Sequence, residues 1–77
     1  MNNQLQRLRD ARALGPTGRG RRARETARLS LTDFARAIDV DPASLCRWEH
    51  GGTRPRRAAA LRWLAAVEDL DVAAPTP

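Results

Sequence analysis

Between Leu31 and Gly51 the chain reads LTDFARAIDVDPASLCRWEHG, and no other stretch constrains the fold as much. Apolar residues fall at Phe34, Ala35, Ile38, Val40, Leu45 and Trp48. This spacing fits two short helices joined by a tight turn, a helix-turn-helix whose crossing buries the whole set. Ser30, three residues before Asp33, is positioned to cap a helix over Leu31 to Ile38. Asp39 suits the sharp turn that follows, because Asp tolerates the left-handed conformation better than most residues other than Gly and Asn. Asp41-Pro42 then starts a second helix, an N-cap acid ahead of an N1 proline whose missing N–H costs nothing. That helix runs to about His50 and ends at Gly51-Gly52.

The 77 residues allow one small domain, since a chain of this size buries only roughly 60% of its extended surface. Nine Leu, three Val, two Trp, one Ile and one Phe suffice for a helical core but not for a deep substrate pocket. Tyr is absent and β-branched residues are sparse, so no strand is expected. All fourteen basic residues are Arg, which against nine acids gives a formal charge of +5. GC-rich coding yields such a chain as readily as selection for a planar fork that grips phosphates and guanine edges. Either origin gives the same electrostatics, which favour a polyanionic partner. A single Cys forms no internal disulfide, as suits a reducing compartment. The N-terminus lacks the apolar core of a signal peptide and no apolar run reaches membrane-spanning length, so a soluble, cytoplasmic, nucleoid-associated protein without membrane contact is expected.

Elsewhere, residues 3–14 have helix-forming composition, with Leu5, Leu8 and Ala11 or Arg12 along one stripe. Gly15 and Pro16 stop this helix, as a C′ glycine followed by proline does. Residues 1–16 thus form an N-terminal helix, and Thr17 to Gly20 a flexible joint. A second helix is expected over Arg21 to Leu29, with Ala23 and Ala27 as its small inner residues. Five Arg lie between positions 19 and 28; such a run is either a solvated face or a phosphate contact. Thr53 to Arg57 is a basic connector. Ala58 to Leu70 is the longest apolar-rich helix, carrying Leu61, Trp63, Leu64, Val67 and Leu70. Residues 72–77 read as a flexible tail.

On a 3.6-residue wheel, Leu45, Trp48 and Glu49 point toward the body of the domain, while Ala43, Cys46, Arg47 and His50 point away. Pro42 and Ser44 flank the outer face at its N-terminal end. That face is narrow and free of bulky apolar groups, as a helix entering a groove about 12 Å wide requires. Arg47 is the expected base reader, through a bidentate contact to guanine, or else it neutralises phosphate or pairs with a surface acid. Ser44 can bond a base or a phosphate, and Ala43 can pack on a thymine methyl. His50 suits a helix C-terminus or a phosphate. Cys46 and His50 stand four residues apart, but two ligands do not make a metal site and the chain has no further Cys or His. No metal or cofactor is expected. With no Lys, one His, one Cys and no carboxylate pair set in a cleft, neither is an enzyme.

Over about residues 20–66 the chain resembles the Cro/repressor-type (xenobiotic-response-element-like) helix-turn-helix DNA-binding family. The resemblance is carried by Phe34-Ala35, Ile38, Val40, Leu45, the run Arg47-Trp48-Glu49-x-Gly51 and the basic Thr53-Arg54-Pro55-Arg56 loop. It implies an all-α, lambda-repressor-like helix-turn-helix bundle of about five helices, with an extra N-terminal helix ahead of a DNA-binding domain over residues 17–71. Pro42, Ala43, Cys46 and Arg47 occupy the family's base-facing positions. Leu31 and Thr32, with His50, Thr53, Arg54, Arg56 and Arg57, are the expected phosphate contacts. Glu49 would turn inward and pair with Arg24, which occupies the family's helix-1 arginine position. Four departures stand out. Leu31 holds a position often filled by Gln, and Asp39 the place of the usual turn Gly. Gly20 and Ala23 stand where larger apolar residues are normal. The family's fifth helix, after Ala58–Leu70, is truncated, and the added N-terminal helix is expected to compensate, with Leu5 and Leu8 covering the Ala58–Leu70 helix.

The leading expectation is a sequence-specific transcriptional regulator, a Cro-like repressor of phage or mobile-element type, bound to double-stranded DNA. One module of this size buries too little surface for tight specific binding, so a homodimer on an inverted repeat with half-sites about 34 Å apart is expected. Trp63, Leu64, Val67 and Leu70 are candidate interface residues, with the monomer core as the competing role for Leu64 and Val67. The alternative is an antitoxin-type module that neutralises a protein partner and regulates its own operon. RNA binding through Arg19–Arg28 ranks below both, because that run lacks interleaved aromatics for base stacking.

Overall fold

The computed structural model describes residues 3–73. They form five helices: α1 (Asn3–Ala13), α2 (Arg19–Thr26), α3 (Leu31–Ala37), α4 (Pro42–Glu49) and α5 (Arg57–Ala73). No strand occurs among the described residues, and no helix is long and apolar enough to cross a membrane. The fold is therefore all-helical. α5 runs through Ala73, into the first part of the expected tail; residues 74–77 lie outside the described residues.

α5 organises the packing because Ala60, Trp63, Leu64 and Val67 recur at helical spacing and are all buried. α1 and α2 both pack against this helix, and α3 packs against α4. Ala11 and Leu14 at the end of α1, Phe34, Ala35 and Ile38 around α3, and Leu45 and Trp48 from α4 complete one core. The Trp48 and Trp63 rings meet at its centre, 5.7 Å apart and tilted by 39°, a favoured aromatic geometry. Trp63, Leu64 and Val67 are thus spent inside the monomer, which removes them as dimer-interface candidates; Leu70 is half-buried. The apolar stripe of α5 faces α1 and α2 rather than a second chain. On α1, Leu8 packs against the core as expected, whereas Leu5 is exposed.

α2, α3 and α4 end in the same way. In each, the residue after the C-cap takes a left-handed conformation: Arg28 (φ 59°), Asp39 (φ 58°) and Gly51 (φ 74°). Two backbone bonds then close each end, such as Gly51 N–H to Trp48 O at 3.0 Å and Gly52 N–H to Arg47 O at 2.9 Å, or Asp39 N–H to Arg36 O and Val40 N–H to Ala35 O. This is the Schellman closure, which satisfies carbonyls that a helix end would otherwise leave open. The starts of α3 and α4 use the side chains their sequence offers. Ser30 Oγ accepts from Asp33 N–H at 3.0 Å, and Asp41 Oδ2 accepts from Ser44 N–H at 3.2 Å ahead of Pro42 at N1.

Two glycines act differently from the expectation. Gly15 has no positive φ; it is required because a Cβ there would collide with the Trp48 carbonyl. Gly20 belongs to α2 rather than to a flexible joint, since its missing side chain makes room for the Trp63 ring, whose Cζ2 would lie 2.5 Å from an added Cβ. Gly18, left-handed at φ 76°, is the residue that turns the chain into α2. α2 consequently starts and stops earlier than expected, burying Gly20 and half-burying Ala23 while Ala27 stays exposed.

Candidate nucleic-acid interface

α4 presents two distinct faces. Leu45, Trp48 and Glu49 are buried, while Ala43, Arg47 and His50 are exposed and Pro42, Ser44 and Cys46 half-buried. The outer edge therefore carries small and polar groups with one long cation. The Arg47 guanidinium reaches back to Ser44 Oγ at 3.3 Å, a weak contact that leaves it without an acidic partner among the described residues. His50 Nδ1 lies 2.8 Å from the Cys46 carbonyl; a carbonyl only accepts, so this nitrogen carries the proton. His50 thereby serves the C-terminus of α4, while Cys46 Sγ lies 3.9 Å from the same nitrogen. No group of three or more His, Cys, Asp or Glu among the described residues is placed to hold a metal.

α4 is held in place from two sides. Arg24 Nε and Nη2 donate to the two Glu49 oxygens at 2.8 and 2.9 Å, and Arg24 Nη1 donates to the Leu29 carbonyl at 2.9 Å. One guanidinium thus ties α2, the linker before α3 and α4 together. The side chains are 13% and 2% exposed, so this pair is shielded from solvent, and stranding either charge costs about 3–5 kcal/mol. The hydrogen bond to Glu49 holds the Arg24 guanidinium above its ordinary pKa, against the opposing effect of burial. A raised value in a cation means its stabilisation is complete below the ordinary value and lost only at still higher pH; Arg24 itself adds no pH dependence near neutrality. On the other side, Arg62 of α5 donates to the carbonyls of Ile38 (2.8 Å) and Asp39 (3.2 Å), fixing the turn that aims α4. Sequence reasoning missed Arg62; its signal was an arginine on the polar flank of an otherwise apolar helix.

The remaining expected contacts divide. Arg54 and Arg56 share a groove of about 330 Å³ with Asp41 and Ser44 at the start of α4, and neither arginine has a partner among the described residues. Thr53 is exposed beside them. Arg57 instead donates to Gln4 Oε1 at 2.6 Å, which ties the start of α5 to α1. Thr32 is exposed at the start of α3, but the Leu31 side chain packs against the core. The Leu31 side chain is therefore turned to the core rather than to an anion. Arg9 and Arg12 of α1 were also missed, although they share a cleft with Thr53 and Arg54. No protein-family model, no curated protein and no solved structure matches the chain.

Proposed function

We propose that the protein is a sequence-specific regulator of transcription that binds double-stranded DNA through a lambda-repressor-like helix-turn-helix formed by α3 and α4. The observation that carries this reading is the outer edge of α4: Ala43, Arg47 and His50 are exposed, with no apolar bulk and no acid to neutralise the arginine. A helix so dressed fits the major groove, where Arg47 donates to guanine O6 and N7 and Ala43 meets a thymine methyl. Pro42, Ser44 and Cys46 flank the read bases. Arg54 and Arg56, with Thr53, Thr32 and the Leu31 amide, fix register on the phosphates without carrying sequence information.

The working form is a homodimer on an inverted repeat, and the simplest output is repression by occupying a promoter. With the inner stripe of α5 committed to the monomer, the large apolar groups left exposed among the described residues are Leu5 and Val72, beside the half-buried Leu70. Three of the arginines between positions 19 and 28 are engaged by carboxylates, which weighs against polyanion binding through that run.

Selection of bound duplexes from a random pool tests the reading. The expected result is a palindromic consensus with half-sites about 34 Å apart, degraded at one position per half-site by Arg47→Ala. A pool that retains duplexes without any consensus, or a consensus indifferent to Arg47→Ala, overturns it.

A further inference from the structure

Between the C-terminal end of α1 and the α4–α5 loop lies a cleft of about 740 Å³, of which the proposed DNA contacts use only Thr53 and Arg54. Arg9 and Arg12 from α1 and Arg54 from the loop line it, and no acidic residue does. None of these guanidiniums has an ion-pair partner among the described residues, although Arg7, on the same helix, is matched to Glu68. Cations gathered around one cavity repel each other until an anion enters.

Two donors sharpen the case. Arg12 Nε and Trp63 Nε1 are both shut off from solvent and have no acceptor among the described residues, and Trp63, which also lines the cleft, is 1% exposed. A buried donor left unpaired is destabilising, and proteins keep few without a reason such as a ligand. Planar guanidinium forks match the oxygens of a phosphate better than those of a halide or a single hydroxyl.

We propose that this cleft binds a phosphate group, held by the guanidiniums of Arg9, Arg12 and Arg54, with the Trp63 ring in the cleft wall as its reporter. The site does not depend on base reading by α4. The phosphate belongs either to a small soluble ligand or to a duplex backbone passing the loop, and both sources offer the same oxygens.

The two indole N–H resonances of the ¹⁵N-labelled full chain are followed during titration with inorganic phosphate and pyrophosphate, against sodium chloride at matched ionic strength. A small-ligand source gives a saturable shift of the Trp63 resonance, made about tenfold weaker by Arg12→Gln or Arg9→Gln and untouched by Arg36→Gln, an exposed arginine of α3 outside the cleft. A duplex source gives no saturation with the inorganic anions; instead Arg9→Gln and Arg12→Gln each lower the slope of log affinity against log salt by about one. Arg9, being exposed, keeps the test readable should Arg12→Gln fail to fold. The proposal is overturned if the anions act only as sodium chloride does and the duplex slope is unchanged in both variants, or if Arg36→Gln weakens binding as much as Arg12→Gln. A chain that binds no duplex at all removes the regulator reading and leaves the pyrophosphate titration to decide the cleft.

Discussion

Two arginine-rich segments of this chain carry the same kind of charge and use it in opposite ways. Along α2, Arg19 pairs with Asp71, Arg21 with Glu25 and Arg24 with Glu49, while Arg22 donates to the Thr17 carbonyl. In the loop after α4, Arg54 and Arg56 form no ion pair among the described residues, although Asp41 shares their groove, and the sequence offers no acid between Glu49 and Glu68. A run of arginines is therefore a poor guide to where positive potential lies. The surplus of +5 is concentrated by where the acids fall, and the α2 run, which holds more basic residues, is the more nearly neutralised. One segment uses its guanidiniums to assemble the fold, and the other leaves Arg54 and Arg56 without a carboxylate.

This contrast can be broken most decisively at Glu49. Glu49→Ala leaves Arg24 shielded and unpaired, and urea unfolding should show a loss of about 3–5 kcal/mol; a loss below about 1 kcal/mol would place the pair among ordinary surface bridges. Next in size is Arg47→Ala, which should remove about 1–3 kcal/mol of discrimination at one base position while random-sequence affinity changes little. Equal loss on specific and random duplexes would reduce Arg47 to a phosphate contact. Arg28 sharpens the contrast from another direction, because it occupies a left-handed position where a Cβ costs about 1 kcal/mol. Arg28→Gly should therefore raise stability by up to about that amount, and a fall would reveal a role for this side chain beyond the helix end. Smallest is the matched comparison of Arg56→Ala with Arg21→Ala. The first should flatten the salt dependence of duplex binding by about one unit; the second should leave that slope unchanged and shift stability by no more than about 0.5 kcal/mol. Identical slopes for the two would erase the distinction between the segments.

The parts of the fold legible in the sequence are those decided by neighbours along the chain. The Ser30 and Asp41 caps, the Pro42 start and the left-handed Asp39 follow from residue chemistry within three or four positions. The core set from Phe34 to Trp48 follows from spacing. The Arg24–Glu49 contact came from family resemblance rather than from either. What the sequence did not disclose depends on contacts distant in the chain. An apolar stripe looks the same whether it will face another helix or another subunit, so Trp63, Leu64 and Val67 could not be assigned before α1 and α2 were seen to cover them. Gly20 reads as a helix breaker until Trp63 is placed against it. The same limit applies to the interface: the outer edge of α4 is visible on a helical wheel, but nothing local announces that Arg9 and Arg12 stand beside Arg54.

Gly15 has a mechanical consequence. Its bare α-carbon lies against the Trp48 carbonyl, so the turn that follows the first helix is seated backbone to backbone on the last turn of the helix that carries Arg47. With Ala11 and Leu14 sealed into the core as well, the N-terminal helix acts as a keel rather than an ornament. A methyl group at position 15 would work as a wedge between the two.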